Sequence, residues 1–272
     1  MRGLKGKTAI VTGAGSGIGR ATALAFAATG ARVAACDVDP ARLAALAAEL
    51  GPRALCVRQV DVADRAAVAR FADEVHAAVG AADVVVNNAG VAVGGELLTT
   101  DLDDVDWLIG VNLRGVIHGC RLFGPAMAAR GAGQIINVSS VFGIYPAPHA
   151  AAYVATKFAV LGLSQALRVE LAPRGVGVTA ICPGLIATSI LADSRLAGSA
   201  VGRRGKLLAL FQRGLPPARV ADAIVDAART NPAVRTVGKD AWALHQLTRL
   251  APGAARQLGA LASRLGGAPA AG

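Results

Sequence analysis

Tyr153 and Lys157 lie four residues apart in a stretch that reads as a helix from Tyr153 to Ala172, so they share one face. A free phenol ionises at about 10, too high for a base at neutral pH. A neighbouring ammonium favours the phenolate and moves Tyr153 toward the range for proton exchange with an alcohol. Alone, a Tyr–Lys pair at this spacing is an ordinary amphipathic edge. Two features set this one apart. Ser140 ends a strand-like run thirteen residues upstream, and strand C-termini carry function in open α/β sheets. The helix also starts after a loop containing Pro and Gly, which lets the ring overhang that edge.

A second constellation stands near the start of the chain. The first strand-like run ends in Thr12-Gly13-Ala14-Gly15-Ser16-Gly17-Ile18-Gly19 and opens directly into a helix. Glycines let the backbone approach a pyrophosphate, and the helix N-terminus supplies oriented N–H groups. Asp37, twenty residues beyond Gly17, closes the second strand, which is the context a dinucleotide site requires. A carboxylate there accepts both ribose hydroxyls of NAD and repels a 2′-phosphate. No Arg or Lys occupies Ser16 or Val38, so NAD is favoured over NADP.

The elements that position these groups follow from the apolar pattern. Thr8–Val11, Arg32–Cys36, Ala54–Val60, Asp83–Val86, Gln134–Val138, Val176–Ile181 and Val234–Val237 read as strands. Gly17–Thr29, Pro40–Leu50, Asp64–Val79, Leu102–Arg130, Tyr153–Ala172 and Ala218–Thr230 read as helices, with Asp39 a good N-cap before Pro40. This alternation predicts right-handed βαβ crossovers and a parallel sheet covered on both faces. The 272 residues are 54% hydrophobic and 17% charged, which excludes disorder and suits one sizeable domain. Aromatics at 4% leave a core of Ala, Val, Leu and Ile. Six residues before Lys7 leave no room for a signal peptide, and the charge-free stretch Gly175–Ala192, broken at Pro183-Gly184, reads as a buried strand and loop. Cys36, Cys56, Cys120 and Cys182 are far apart, and the four His share no ligand spacing. The expectation is a reduced, cytoplasmic protein without disulfides or metal.

With these residues in view, the chain resembles the short-chain dehydrogenase/reductase family, in its main branch of about 250 residues, over roughly residues 5–238. Thr12 to Gly19 match the glycine motif, Asn87-Asn88-Ala89-Gly90 the N-N-A-G motif, and Asp61-Val62 the pair bordering the adenine. Asn112, Ser140, Tyr153 and Lys157 match the catalytic set, and Pro183-Gly184, followed by Ile186 and Thr188, match the segment that meets the nicotinamide carboxamide. The resemblance implies an α/β, Rossmann-like, doubly wound parallel sheet of seven strands with helices on both faces, in a single domain over 1–238. It also implies hydride transfer between nicotinamide C4 and a carbinol or carbonyl carbon. Gly13, Ser16, Gly17, Ile18, Gly19, Asp37, Asp61, Val62, Asn88, Ala89 and Gly90 would bind the coenzyme, with Tyr153, Lys157, Pro183, Gly184, Ile186 and Thr188. Tyr153 would exchange the proton, Lys157 would lower its pKa and hold the nicotinamide ribose, and Ser140 would hold the substrate oxygen. Asn112 would keep a water connecting Lys157 to solvent. Ser139 should point to the other side of its strand from Ser140. A homodimer or homotetramer through the helix of Tyr153 and the one before it is also implied.

The chain departs from that family after Val237. A basic extension, 239–272, carries one apolar stripe at Ala241, Trp242, Leu244, Leu247 and Leu250 and another at Leu258, Leu261 and Leu265, with Arg249, Arg256 and Arg264. Past residue 190 there are 12 basic and 4 acidic side chains, which hold most of the net charge of +10. The extension can pack on the domain or a second subunit, or lie on an anionic membrane as a peripheral contact. The substrate loop, about 185–215, offers Leu185, Ile190, Leu191, Leu207, Leu208, Leu210 and Phe211, which favours a hydrophobic alcohol or ketone. Arg203, Arg204 and Lys206 keep open an NADP-dependent reductase of a 3-oxoacyl-type substrate. Nucleic acid is not expected as a partner, because aromatics are few and no reading helix is evident. A non-catalytic NAD-binding sensor is the rival of another class.

Overall fold

The computed structural model describes residues 3–191 and 194–266. In chain order the strands are β1 (Thr8–Thr12), β2 (Arg32–Asp37), β3 (Ala54–Gln59), β4 (Val84–Asn87), β5 (Val93–Gly94), β6 (Gly133–Val138), β7 (Val176–Pro183), β8 (Arg195–Leu196) and β9 (Val234–Val237). The helices are α1 (Gly17–Ala28), α2 (Pro40–Leu50), α3 (Arg65–Val79), α4 (Leu102–Ile109), α5 (Gly115–Arg130), α6 (Ala151–Leu171), α7 (Arg204–Gln212), α8 (Pro217–Thr230), α9 (Lys239–Leu250) and α10 (Pro252–Gly266). Seven strands pair in the order β3-β2-β1-β4-β6-β7-β9, all parallel. Every residue of β1 and β4 is buried, as continuous apolar strands covered on both faces should be.

Each face of the sheet has its own core. On one side Ala23 and Phe26 of α1, Leu46 of α2, and Val220 and Ile224 of α8 pack on Val11, Val33 and Val86. On the other, Val68 and Phe71 of α3, Phe123 and Met127 of α5, and Val160 of α6 pack on Ile10, Val85 and Ile135. Asp39 caps α2 through Ala41 N and Arg42 N, and Asp64 caps α3 through Ala66 N and Ala67 N, each cap contributing about 1 kcal/mol. The chain runs from β1 outward to β3 and then returns to β4 on the other side of β1. That reversal opens a crevice above the C-terminal ends of β1 and β4.

Two stretches differ from their sequence reading. Leu102–Arg130 is not one helix: a π-helical turn, Gly110–Arg114, divides it into α4 and α5. Its cause is tertiary. Asn112, fully buried, bonds the backbone of Val91 from within that turn, and π-turns absorb such insertions. The substrate loop is also more ordered than its Gly, Ser and Arg content suggests. It contains β8, which pairs in parallel with β5, and the helix α7. Arg195 fastens it, with its guanidinium 2.7 Å from Asp104 Oδ1 and 4.0 Å from the centre of the Trp107 ring.

The extension packs α9 against β9 and against α10, burying Ala241. Trp242 and Leu250 stay 59% and 81% exposed, so the first stripe is covered at one edge only. Leu258 and Leu261 are about half exposed. The side chains of Arg264 and Leu265, and residues 267–272, lie outside the described residues. Among the described residues no helix is long and apolar enough to cross a membrane. All four cysteines are free and buried.

Candidate active site

The turn after β1 is shaped by backbone that only glycine adopts without strain. Gly13 and Gly17 hold φ of 63° and 50°. A Cβ on Gly13 would lie 2.7 Å from Ala89 Cα, and one on Gly19 would lie 2.0 Å from Gly13 O. The loop is therefore laid directly on Asn88-Ala89-Gly90. Thr12 Oγ1 accepts from Asn88 N and Ala89 N, each at 3.0 Å, while Asn88 Nδ2 donates to Thr12 O at 2.9 Å. Ser16 precedes α1 in extended conformation and its side chain makes no cap hydrogen bond to the first amides, where an anion is favoured. Ile18 turns inward onto the core.

Asp37 stands where β2 ends. Its Oδ2 accepts from Gly15 N at 2.8 Å and its Oδ1 from Asp39 N at 3.1 Å. A Cβ on Gly15 would meet Asp37 Cγ and Arg42 Cβ, both at 2.9 Å. The stem of Arg42, a residue that the sequence reading missed, thus borders the glycine loop beside this carboxylate, and its Nε lies 3.1 Å from Asp39 Oδ2. A position five residues past a strand-end acid, in the first turn of the next helix, was the available signal. Asp61 follows β3 and accepts from Ala63 N, and buried Val62 offers its carbonyl to His118 Nδ1 at 2.9 Å. His118 had no readable signal. An uncapped helix start, glycine backbone and a strand-end carboxylate fit a dinucleotide.

The chemistry-bearing side chains converge at the ends of β6 and β7. Ser139 is buried and donates to Lys157 O at 2.8 Å. Ser140 has a different partner: its Oγ accepts from Phe142 N at 3.1 Å at the head of a short turn, Val141–Gly143. Its hydroxyl also favours the ionised form of Tyr153, whose ring meets Phe142 edge-on with centroids 6.4 Å apart. Lys157 Nζ lies 5.6 Å from the Tyr153 ring centre and donates to Val138 O at 3.2 Å. A Cβ on Gly90 would lie 3.4 Å from both Lys157 Nζ and Asn112 Oδ1, so that glycine lets the two groups approach. Asn112 Oδ1 accepts from Val91 N at 2.8 Å, and its Nδ2 donates to Val91 O at 2.9 Å and Thr156 Oγ1 at 3.3 Å.

Burial pushes the Tyr153 phenol up to about 12, and the Ser140 hydrogen bond pulls against it. Burial also brings Lys157 down to about 8, opposed by the nearby Cys182 sulfur. At pH 7 this pair is a phenol facing an ammonium. Desolvation is the larger influence on the phenol, and the Ser140 hydroxyl opposes it.

Pro183 closes β7, and Gly184 N donates to Val237 O at 2.9 Å. Ile186 is buried and bridges to Leu215. Thr188 reaches the glycine loop, its Cγ2 lying 3.3 Å from where a Gly17 Cβ would stand. Near the substrate side, His149 holds φ 57° and places Nδ1 3.0 Å from Glu96 Oε1.

The sequence model of a family described as short chain dehydrogenase matches residues 7–197. The "Probable oxidoreductase EphD" of Mycobacterium tuberculosis is 42% identical over 266 residues, covering 94% of this chain and 45% of that protein. The chain therefore spans less than half the length of these relatives. The D-threitol dehydrogenase of Mycolicibacterium smegmatis is 41% identical over 189 residues, 69% of this chain and 73% of that one. A solved short-chain dehydrogenase/reductase from Burkholderia phymatum, in complex with NAD, superposes with a TM-score of 0.85 at 32% identity, covering 92% and 95% of the two chains. Sequence, sheet order and relatives agree that this chain belongs to the short-chain dehydrogenase/reductase family.

Proposed function

We propose that this enzyme transfers a hydride between a hydrophobic secondary alcohol or ketone and NAD. The observation that carries the reading is the convergence of Ser140, Tyr153 and Lys157, with Lys157 Nζ 5.6 Å from the centre of the Tyr153 ring. Bound NAD would supply the carbon that takes the hydride, so that alcohol and NAD⁺ become ketone, NADH and a proton. Ser140 holds the alcohol oxygen, Tyr153 Oη takes its proton, and Lys157 keeps positive charge beside the phenol and binds the ribose. The Asn112 side chain is engaged with Val91, so its place is to fix the π-turn beside Lys157. The carboxylate of Asp37 supports NAD over NADP, as does the NAD complex of the Burkholderia phymatum protein. Buried Val93 and Tyr145 and half-buried Leu207 and Leu208 support an apolar substrate.

The deciding experiment is a screen of secondary alcohols with NAD and NADP side by side, read by absorbance of the reduced coenzyme. Turnover with NAD on apolar alcohols is the expected result. Coenzyme binding with no turnover on any alcohol or ketone would favour the sensor instead.

The pH dependence tests the Tyr153–Lys157 pair. Oxidation needs the phenol deprotonated, so kcat/KM should rise with pH until Tyr153 is ionised. An ammonium beside it favours that ionised form. Lys157→Met should therefore move the rise upward by about 1–3 units. An unmoved profile would remove Lys157 from this place.

We also propose a homo-oligomer through α5 and α6, where Ile117, Leu163, Leu167 and Leu171 line an apolar groove and Val169 is 76% exposed. Leu167→Asp should lower the mass seen by light scattering to that of a smaller assembly, without loss of helix content. An unchanged mass would place the interface elsewhere.

A further inference from the structure

We infer that Asp240, in the extension, is a positioning residue for the nicotinamide half of the coenzyme. It acts through the segment Gly184–Thr188, so the inference rests on the coenzyme reading above. The carboxylate stands in the first turn of α9, where a negative charge is favoured by the helix dipole. Its Oδ2 accepts from Leu185 N at 2.8 Å. A Cβ on Gly184 would lie 2.1 Å from Oδ2, and one on Gly238 would lie 2.3 Å from Oδ1. Two glycines thus leave room for this carboxylate and for nothing larger than their own hydrogens.

The segment it holds is otherwise tied on two sides. Gly184 N donates to Val237 O at 2.9 Å, while Leu215 N donates to Leu185 O and Ala187 N to Leu215 O, each at 2.9 Å. Asp240 is the third tie. Beyond Leu185 come Ile186 and Thr188, and Thr188 reaches the start of α1 beside Gly17. The same helix α9 also packs on the Val141–Gly143 turn that Ser140 caps. The extension therefore touches both loops that flank the reacting centre.

Removing the carboxylate frees Leu185 N and loosens the segment that faces the nicotinamide, while the glycine loop, Asp37 and Asp61 remain as they were. The test compares two ligands on purified full-length protein by calorimetry: NADH, and ADP-ribose, which lacks the nicotinamide. Asp240→Ala should weaken NADH by about tenfold, the low end of a charged hydrogen bond because the site is open to solvent. ADP-ribose affinity should not change. Asp240→Asn, which keeps an acceptor for Leu185 N, should recover most of the NADH affinity and covers the case in which the alanine variant misfolds. Equal loss for both ligands in Asp240→Asn, or no loss for NADH in Asp240→Ala, would overturn the inference. Wild-type protein that binds ADP-ribose but shows no gain from the nicotinamide would overturn the coenzyme reading itself.

Discussion

Tyr153→Phe is expected to lower kcat for alcohol oxidation by about 10³-fold, the middle of the range for a lost general base. The substitution removes one oxygen and keeps the ring. Its edge contact with Phe142 and its place on the buried side of α6 remain, so the fold and coenzyme affinity should not change. A loss in kcat without a loss in binding marks an interaction made in the transition state. Ser140→Ala should cost less, because Tyr153 can still reach the substrate oxygen. Calorimetry with NADH and steady-state rates on one preparation separate the two effects. Near-full activity of the phenylalanine variant would dismiss Tyr153 as the proton carrier.

That expectation places a demand on Lys157. Burial in this structure leaves Tyr153 protonated far above neutral pH and brings Lys157 well below its usual value. For the phenol to serve as a base, positive charge near its oxygen must offset the desolvation. Lys157 stays charged at pH 7 because its lowered value, about 8, still lies above that pH. The nitrogen donates to Val138 O, and among the described residues no carboxylate pairs with it to neutralise its charge. Its charge is therefore available to the phenol.

What could be read in the sequence, and what could not, divides along physical lines. Val84-Val85-Val86 announced a central strand because burial on both faces demands unbroken apolar residues. Ser139 and Ser140 could be told apart because strand side chains alternate, and Tyr153 and Lys157 could be paired because helix residues four apart share a face. The break between α4 and α5 was illegible, since it depends on Asn112 finding Val91, which only the folded chain brings together. Helix α7 was illegible for another reason: none of its residues is fully buried, and Leu207, Leu208, Leu210 and Phe211 read equally well as the apolar lining of a loop. Arg42, His118 and Asp240 are ordinary surface residues in the sequence, and each acquires meaning from a neighbour more than four residues away.

The coenzyme preference is expected to turn on one carboxylate. Asp37→Ala should change the ratio of kcat/KM for NAD to that for NADP by about 10³-fold, because a like-charge juxtaposition costs several kcal/mol and is removed. Part of the change is loss with NAD, as the ribose hydroxyls lose their acceptor. Part is gain with NADP, since the charge that repels its phosphate is gone and the stem of Arg42, whose guanidinium pairs with Asp39, lies beside the same spot. The carboxylate also braces the glycine loop through Gly15 N and the start of α2 through Asp39 N. Asp37→Asn separates these effects, because it keeps an acceptor for Gly15 N and removes only the charge. It should gain with NADP nearly as much as the alanine variant while melting at a higher temperature. Rates with both coenzymes and thermal melts on the two variants decide the matter. Unimproved NADP turnover in both would leave Asp37 as a brace for the glycine loop and move discrimination of the phosphate to another residue.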